Sequence, residues 1–175
     1  MKQLKHCNLH VLYKRPWTTD LSRTAKLQER LTHNVFQEYA RSGVFKKLFL
    51  TSEESIEEII GEVTFAEAET ASDKQIVNIM HYINIFNNTD PITDNSEPPK
   101  DIARICTFGI QDIKSGEEKT LYPLQNICDK MYYYAIKEDD LKSDRKLIKT
   151  IREQLSKNQI QPSYQVHSTK HPESF

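Results

Sequence analysis

Between Leu21 and Arg41 apolar side chains recur at every fourth position, Leu27, Leu31, Val35 and Tyr39, with Phe36 beside them. This spacing gathers them into one stripe of an α-helix of about five turns. Ser42-Gly43 closes the helix, because glycine takes the left-handed backbone at no steric cost, and Val44 stands where the accompanying apolar contact falls. Thr18-Thr19-Asp20 offers an N-cap oxygen at the other end. No other stretch of the chain constrains its fold so tightly.

Before this helix, Leu9, Val11 and Tyr13 alternate with His10 and Leu12, which predicts a strand stopped by Pro16. After it, Thr51 and Glu54 make a capping box for a helix carrying Ile56, Ile59, Ile60 and Val63. Residues 63–69 fit either a short strand or a longer helix. Ser72 with Gln75 makes a second box, and Ile76 to Phe86 is apolar nearly all round, the pattern of a helix buried on several sides or presenting a face to a partner. A polar, proline-punctuated loop covers 87–101. Residues 102–113 and 117–122 read as a hairpin around Lys114-Ser115-Gly116. Pro123 is expected to open a helix holding Leu124, Ile127, Cys128, Met131 and Ala135, with Tyr132, Tyr133 and Tyr134 fanned around it. A last helix carries Leu141, Leu147, Ile148, Ile151 and Leu155, and 159–175 loses all periodicity.

The fold class expected from this pattern is α+β and predominantly helical: four to five helices with a small antiparallel sheet made of the N-terminal strand and the central hairpin. The 175 residues suffice for one globular domain over 1–158, followed by a flexible tail over 159–175. No window has the roughly eighteen uninterrupted apolar residues of a membrane helix, and the start has no apolar run of a secretory signal. Three cysteines, Cys7, Cys106 and Cys128, are odd in number and far apart, which suits a reducing interior. The expectation is a cytoplasmic protein without a membrane partner, or one exported by a signal-peptide-independent route.

A formal net charge of -1 hides a strong asymmetry. Residues 1–50 hold ten Lys/Arg against three acids, and 51–101 hold twelve Asp/Glu against two lysines. On the first helix Arg23, Lys26 and Arg30 follow i, i+3, i+7 and form a basic ridge, with Trp17 just before it. Such a ridge suits a phosphate backbone or an acidic protein surface. The eight acids between Thr51 and Asp73, with no base among them, would repel nucleic acid and so favour a protein partner. Tyr133 and Tyr134 are the second candidate surface, since three consecutive aromatics on a helix cannot all face inward.

The chain's four glycines lie too far apart for a P-loop or dinucleotide fingerprint, so no cofactor is expected. His6, Cys7 and His10 do not converge if they lie on a strand, and a further ligand would have to come from His167 or His171, so no metal is expected either. The catalytic candidates are Cys7 with His10 or His33, a nucleophile needing an imidazole beside it. Three functions follow. The leading one is a non-enzymatic protein–protein interaction module, an adaptor, inhibitor or effector-type regulator using charge and exposed aromatics. The alternatives are an enzyme with a dispersed Cys/His site around Cys7, and a nucleic-acid binder using the basic ridge.

Overall fold

In the computed structural model, which describes residues 7–61, 64–94, 104–125, 130–144, 146–158 and 162–169, the alternating segment forms β1 (His10–Arg15). The helix after it, α1 (Arg23–Arg41), is capped by Ser22, whose Oγ accepts from the Ala25 N–H at 3.2 Å, not by the Thr18–Asp20 stretch. Its end is a Schellman closure: the Gly43 N–H bonds the Ala40 carbonyl at 3.1 Å and the Val44 N–H bonds the Tyr39 carbonyl at 2.9 Å. Gly43 sits at φ +81°, which few side chains tolerate.

Next come β2 (Lys47–Ser52) and α2 (Glu53–Ile60). Ser52, not Thr51, caps α2 through its bond from the Ser55 N–H. The ambiguous segment is helical from Phe65 on, where α3 (Phe65–Asn88) starts, with the Glu67 carboxylate reaching back to accept from both the N–H and the hydroxyl of Thr64. Ser72, expected to start a helix, lies inside α3 with its hydroxyl buried and unpartnered. The remaining elements are β3 (Thr93–Asp94), β4 (Ile105–Thr107), β5 (Gly109–Gln111), β6 (Glu118–Thr120), β7 (Met131–Lys137), α4 (Glu138–Ser143), α5 (Leu147–Leu155) and β8 (Ser163–Thr169). The expected hairpin survives as β5 and β6 only, and β4 belongs to another sheet.

The chain divides into two compact units where the sequence suggested one domain. The first comprises residues 1–72, 101–110 and 119–125. Its sheet has the order β1-β2-β4, all parallel, with Val11, Leu48 and Ile105 in one row and Tyr13, Leu50 and Thr107 in the next. These rows meet Phe36 and Ala40 of α1, and Phe45, Tyr122 and Leu124 complete the core. Phe36 meets Tyr13 and Phe45 edge-on, at 5.4 and 5.9 Å between ring centres. Strand, helix and parallel strand thus form a βαβ unit, the connection parallel pairing requires.

The second unit comprises residues 73–100, 111–118 and 126–175. Its sheet has the order β3-β8-β7, with β7 parallel to β8 and β3 antiparallel to it. Helices α4 and α5 connect β7 to β8, a second βαβ connection. The core gathers Tyr134 and Ile136 of β7, Ile151 and Leu155 of α5, and Tyr164 and Val166 of β8.

Three expectations are corrected here. The protein is not predominantly helical: helix and strand stand at 44 % and 26 %, and most strand pairing is parallel. Met131 to Ala135, expected on a helix, is strand, because a run of tyrosines suits a pleated, half-buried surface and finds its partner in β8. Residues 163–169, expected within a flexible tail, are the central strand of their sheet, with Val166 fully buried. Their alternation, Tyr164, Val166 and Ser168 against Gln165 and His167, acquires meaning only once β7 lies beside it.

Candidate functional site

Helix α1 turns its two sides to opposite uses. The inner side carries Glu29, His33, Phe36 and Ala40, and only Ala40 among its residues is fully buried. The apolar stripe, the side an amphipathic helix ordinarily packs, is exposed: Leu27 at 57 %, Leu31 at 56 %, Val35 at 45 % and Tyr39 at 40 %. Val44, just past the cap, continues it into solvent.

The inner side is polar because β1 supplies the complement. The Glu29 carboxylate is largely shielded and accepts from Arg15 Nε at 3.1 Å, with the Tyr13 hydroxyl at 3.5 Å. His33 lies flat against Tyr13 at 5.8 Å between ring centres. Its Nε2 is 2.9 Å from Gln37 Nε2 and 3.4 Å from the Tyr122 hydroxyl. An amide nitrogen only donates, so His33 Nε2 accepts and the ring proton resides on Nδ1 in this arrangement. Burial lowers the His33 pKa, partly opposed by Glu29 and reinforced by Arg15. Burial likewise raises the Tyr13 and Tyr122 hydroxyls above their ordinary range. Carboxylate, guanidinium, imidazole and phenols satisfy one another, and this network attaches α1 to β1.

The same side chains answer how the two charged segments meet. Lys14 pairs with Glu53 at 3.6 Å. The Trp17 N–H donates to Glu53 Oε2 at 3.1 Å, and the Thr18 N–H and hydroxyl both donate to Glu54 Oε1. These bonds to Thr18 hold the Glu54 carboxyl below the usual carboxylate range. The basic approach to α1 is thus matched from two sides, Lys14 by Glu53 in the first turn of α2 and Arg15 by Glu29 of α1 itself. Arg23, Lys26 and Arg30 are not: all three are exposed, and among the described residues none forms an ion pair. On α1 the one exposed carboxylate, Glu38, pairs with Arg41 at 2.5 Å.

The other candidates are dispersed. Trp17 is 37 % exposed beside Glu53. Tyr134 is buried, its hydroxyl donating to Gln111 Oε1 at 2.6 Å, and burial pushes its pKa up to about 12. Tyr133, on the opposite face of β7, is half-buried, and burial raises its hydroxyl as well. Cys7 is exposed ahead of β1, His10 stacks over Phe49 at 6.3 Å, and His33 stacks on Tyr13. Cys7 precedes the first strand residue by three positions, and among the described residues no hydrogen bond joins its thiol to the imidazole of His10 or His33. Cys106 is half-buried and its thiol is pushed up by burial. Cys128 lies outside the described residues, as do His6 and His171. Among the described residues no group of three or more His, Cys, Asp or Glu side chains could hold a metal ion, and no helix is long and apolar enough to cross a membrane.

What the sequence reading missed is the role of Leu27, Leu31, Val35 and Tyr39. The signal was a second stripe on the same helix, Ala25, Glu29, Phe36 and Ala40, whose charge can be buried only because Arg15 lies across from it. No family model matches this chain, and no curated protein or solved structure matches it either.

Proposed function

We propose that this chain is a non-enzymatic protein-interaction module, an adaptor or inhibitor by type, that docks a protein through the outer face of α1. One observation carries the reading: four apolar side chains at four-residue spacing stand in solvent beside three cations that form no ion pair among the described residues. Isolated exposed apolar residues are ordinary, but an aligned row on a rigid helix is what interfaces use. Covering a leucine of this kind is worth about 1.5–3 kcal/mol, so leaving four such side chains exposed forgoes a large stabilisation. The apolar row inside the ridge also favours protein over a phosphate backbone, which rewards charge and hydrogen bonding alone. The residues assigned to the interface are Leu27, Leu31, Val35 and Tyr39 with Arg23, Lys26 and Arg30. Trp17, Tyr133 and Tyr134 leave the proposed interface.

A photo-crosslinking amino acid at position 31, compared with one at the exposed position 149 of α5, tests this in native lysate. A discrete adduct formed only from position 31, and lost on Leu27→Ser, is expected. Indistinguishable adduct patterns from both positions would contradict the reading.

A further inference from the structure

Building on that reading, we infer that the occupant of this face is an acidic amphipathic helix of another protein. A helix face offers no backbone donors or acceptors, since the ladder of α1 uses them internally. An extended partner strand would therefore lose water from its own N–H and C=O groups without replacement, whereas a helix arrives with its backbone already bonded. The row from Leu27 to Tyr39 is about 18 Å long and turns by about 40° at each step. A flat surface meets only part of such a winding row. A second helix follows it, because ridges of i, i+4 side chains interlock when two helices cross at about −50°.

Charge selects among helices. Arg23 heads the row one turn before Leu27, Lys26 and Arg30 border it on one side, and Thr24, Gln28 and Thr32, all exposed, border it on the other. Glu29 is turned inward onto Arg15, and Glu38 is matched by Arg41. Among the described residues, α1 therefore presents three cations without an ion pair and no carboxylate without one. A second copy of this chain would bring six such cations together, which disfavours self-association. The complementary partner carries an apolar row flanked on one side by Glu or Asp at helical spacing.

Three designed helical peptides of about 18 residues, long enough to span the row, test this against the full chain by calorimetry. All share one leucine row and differ only in carrying Glu, Gln or Lys along one flank. The Glu peptide is expected to bind at least about tenfold more tightly than the Gln peptide, with a difference that shrinks in high salt. Reversing Arg23, Lys26 and Arg30 to Glu should transfer the preference to the Lys peptide. Leu27→Ser with Leu31→Ser should abolish binding of every peptide. If wild type binds the Gln or Lys peptide as tightly, and the serine variant loses it, the acidic partner is overturned while the docking face stands. Sedimentation showing a dimer that the serine variant loses overturns it in favour of a second copy. Binding to phosphatidylserine vesicles but to no peptide overturns both the inference and the protein-docking reading. If no probe binds, the acidic helix is overturned, and the crosslink at position 31 decides the docking face separately.

Discussion

Helices α1 and α5 occupy equivalent places in two βαβ connections, each leading into a parallel strand, yet they treat their apolar residues in opposite ways. On α5, Ile151 and Leu155 are 0 % and 2 % exposed and lie in the core with Tyr164 and Val166. On α1, Leu27 and Leu31 are more than half exposed, and the side turned to the sheet holds a charge pair and a histidine. Same connection, opposite orientation. The lesson is that a connecting helix can be anchored by a polar network and one aromatic side chain, which frees its apolar stripe for another molecule.

The sharpest way to break this comparison is to truncate both helices. Ile151→Ala or Leu155→Ala should lower stability by about 2–5 kcal/mol, the cost of a buried aliphatic cavity. Leu27→Ala and Leu31→Ala should stay within about 0.5 kcal/mol. Urea unfolding of all four variants checks the contrast, and equal losses would remove it.

The anchoring network comes next in size. Glu29→Ala leaves Arg15 and the Tyr13 hydroxyl without their acceptor and should cost about 1–3 kcal/mol. Exchange protection of the α1 amides, measured by mass spectrometry, should fall with it. Unchanged protection would mean that the apolar contacts of Phe36 and Ala40 suffice.

Gly43→Ala follows, at about 1 kcal/mol, since it forces a β-carbon into the φ +81° closure. The new β-carbon would stand 2.6 Å from Arg104 Nη1, the far end of a side chain able to swing away. Thermal unfolding measures it. No loss would show that the closure re-forms without glycine.

The smallest effect is a pH dependence. The groups facing His33 are Tyr13, Arg15, Glu29, Gln37 and Tyr122. Burial sets its folded pKa below the ordinary 6.5, so the unfolded chain takes up this proton more readily. This contribution is therefore full at alkaline pH, and stability falls as pH drops through 6.5 toward the lower folded value. His33→Gln should flatten the urea midpoint between pH 8 and pH 5 relative to wild type. A wild-type and variant pair with parallel profiles would remove His33 as the source.

How much of this was readable from the chain depends on where each signal resides. β1 and α1 are local: alternation, a proline stop, four-residue periodicity and a glycine closure all lie within the elements or next to them. β2 is not, because Leu48-Phe49-Leu50 is a short apolar run whose strand character comes from β1 and β4 on either side. The same holds for β7 and β8, which define each other across thirty-two positions of register, from Met131 to Ser163. The orientation of α1 was hidden for a related reason. Counting apolar residues selects the Leu27 stripe as the inner side, and only Arg15, on another element, makes the Glu29 side buriable. The basic ridge was readable, and among the described residues Arg23, Lys26 and Arg30 form no ion pair, whereas the apolar row was readable only as a stripe, with nothing local to say which side of the helix meets the sheet.

The central claim is that the apolar row of α1 is an interface and the apolar face of α5 is core. Methyl-detected NMR of the full chain during titration with the Glu-flanked peptide tests it most directly. The expected result is saturating shifts at the Leu27, Leu31 and Val35 methyls, with those of Ile151, Leu155 and Val166 unmoved. Shifts confined to the second set, or an unperturbed α1 row at saturation, would contradict the account.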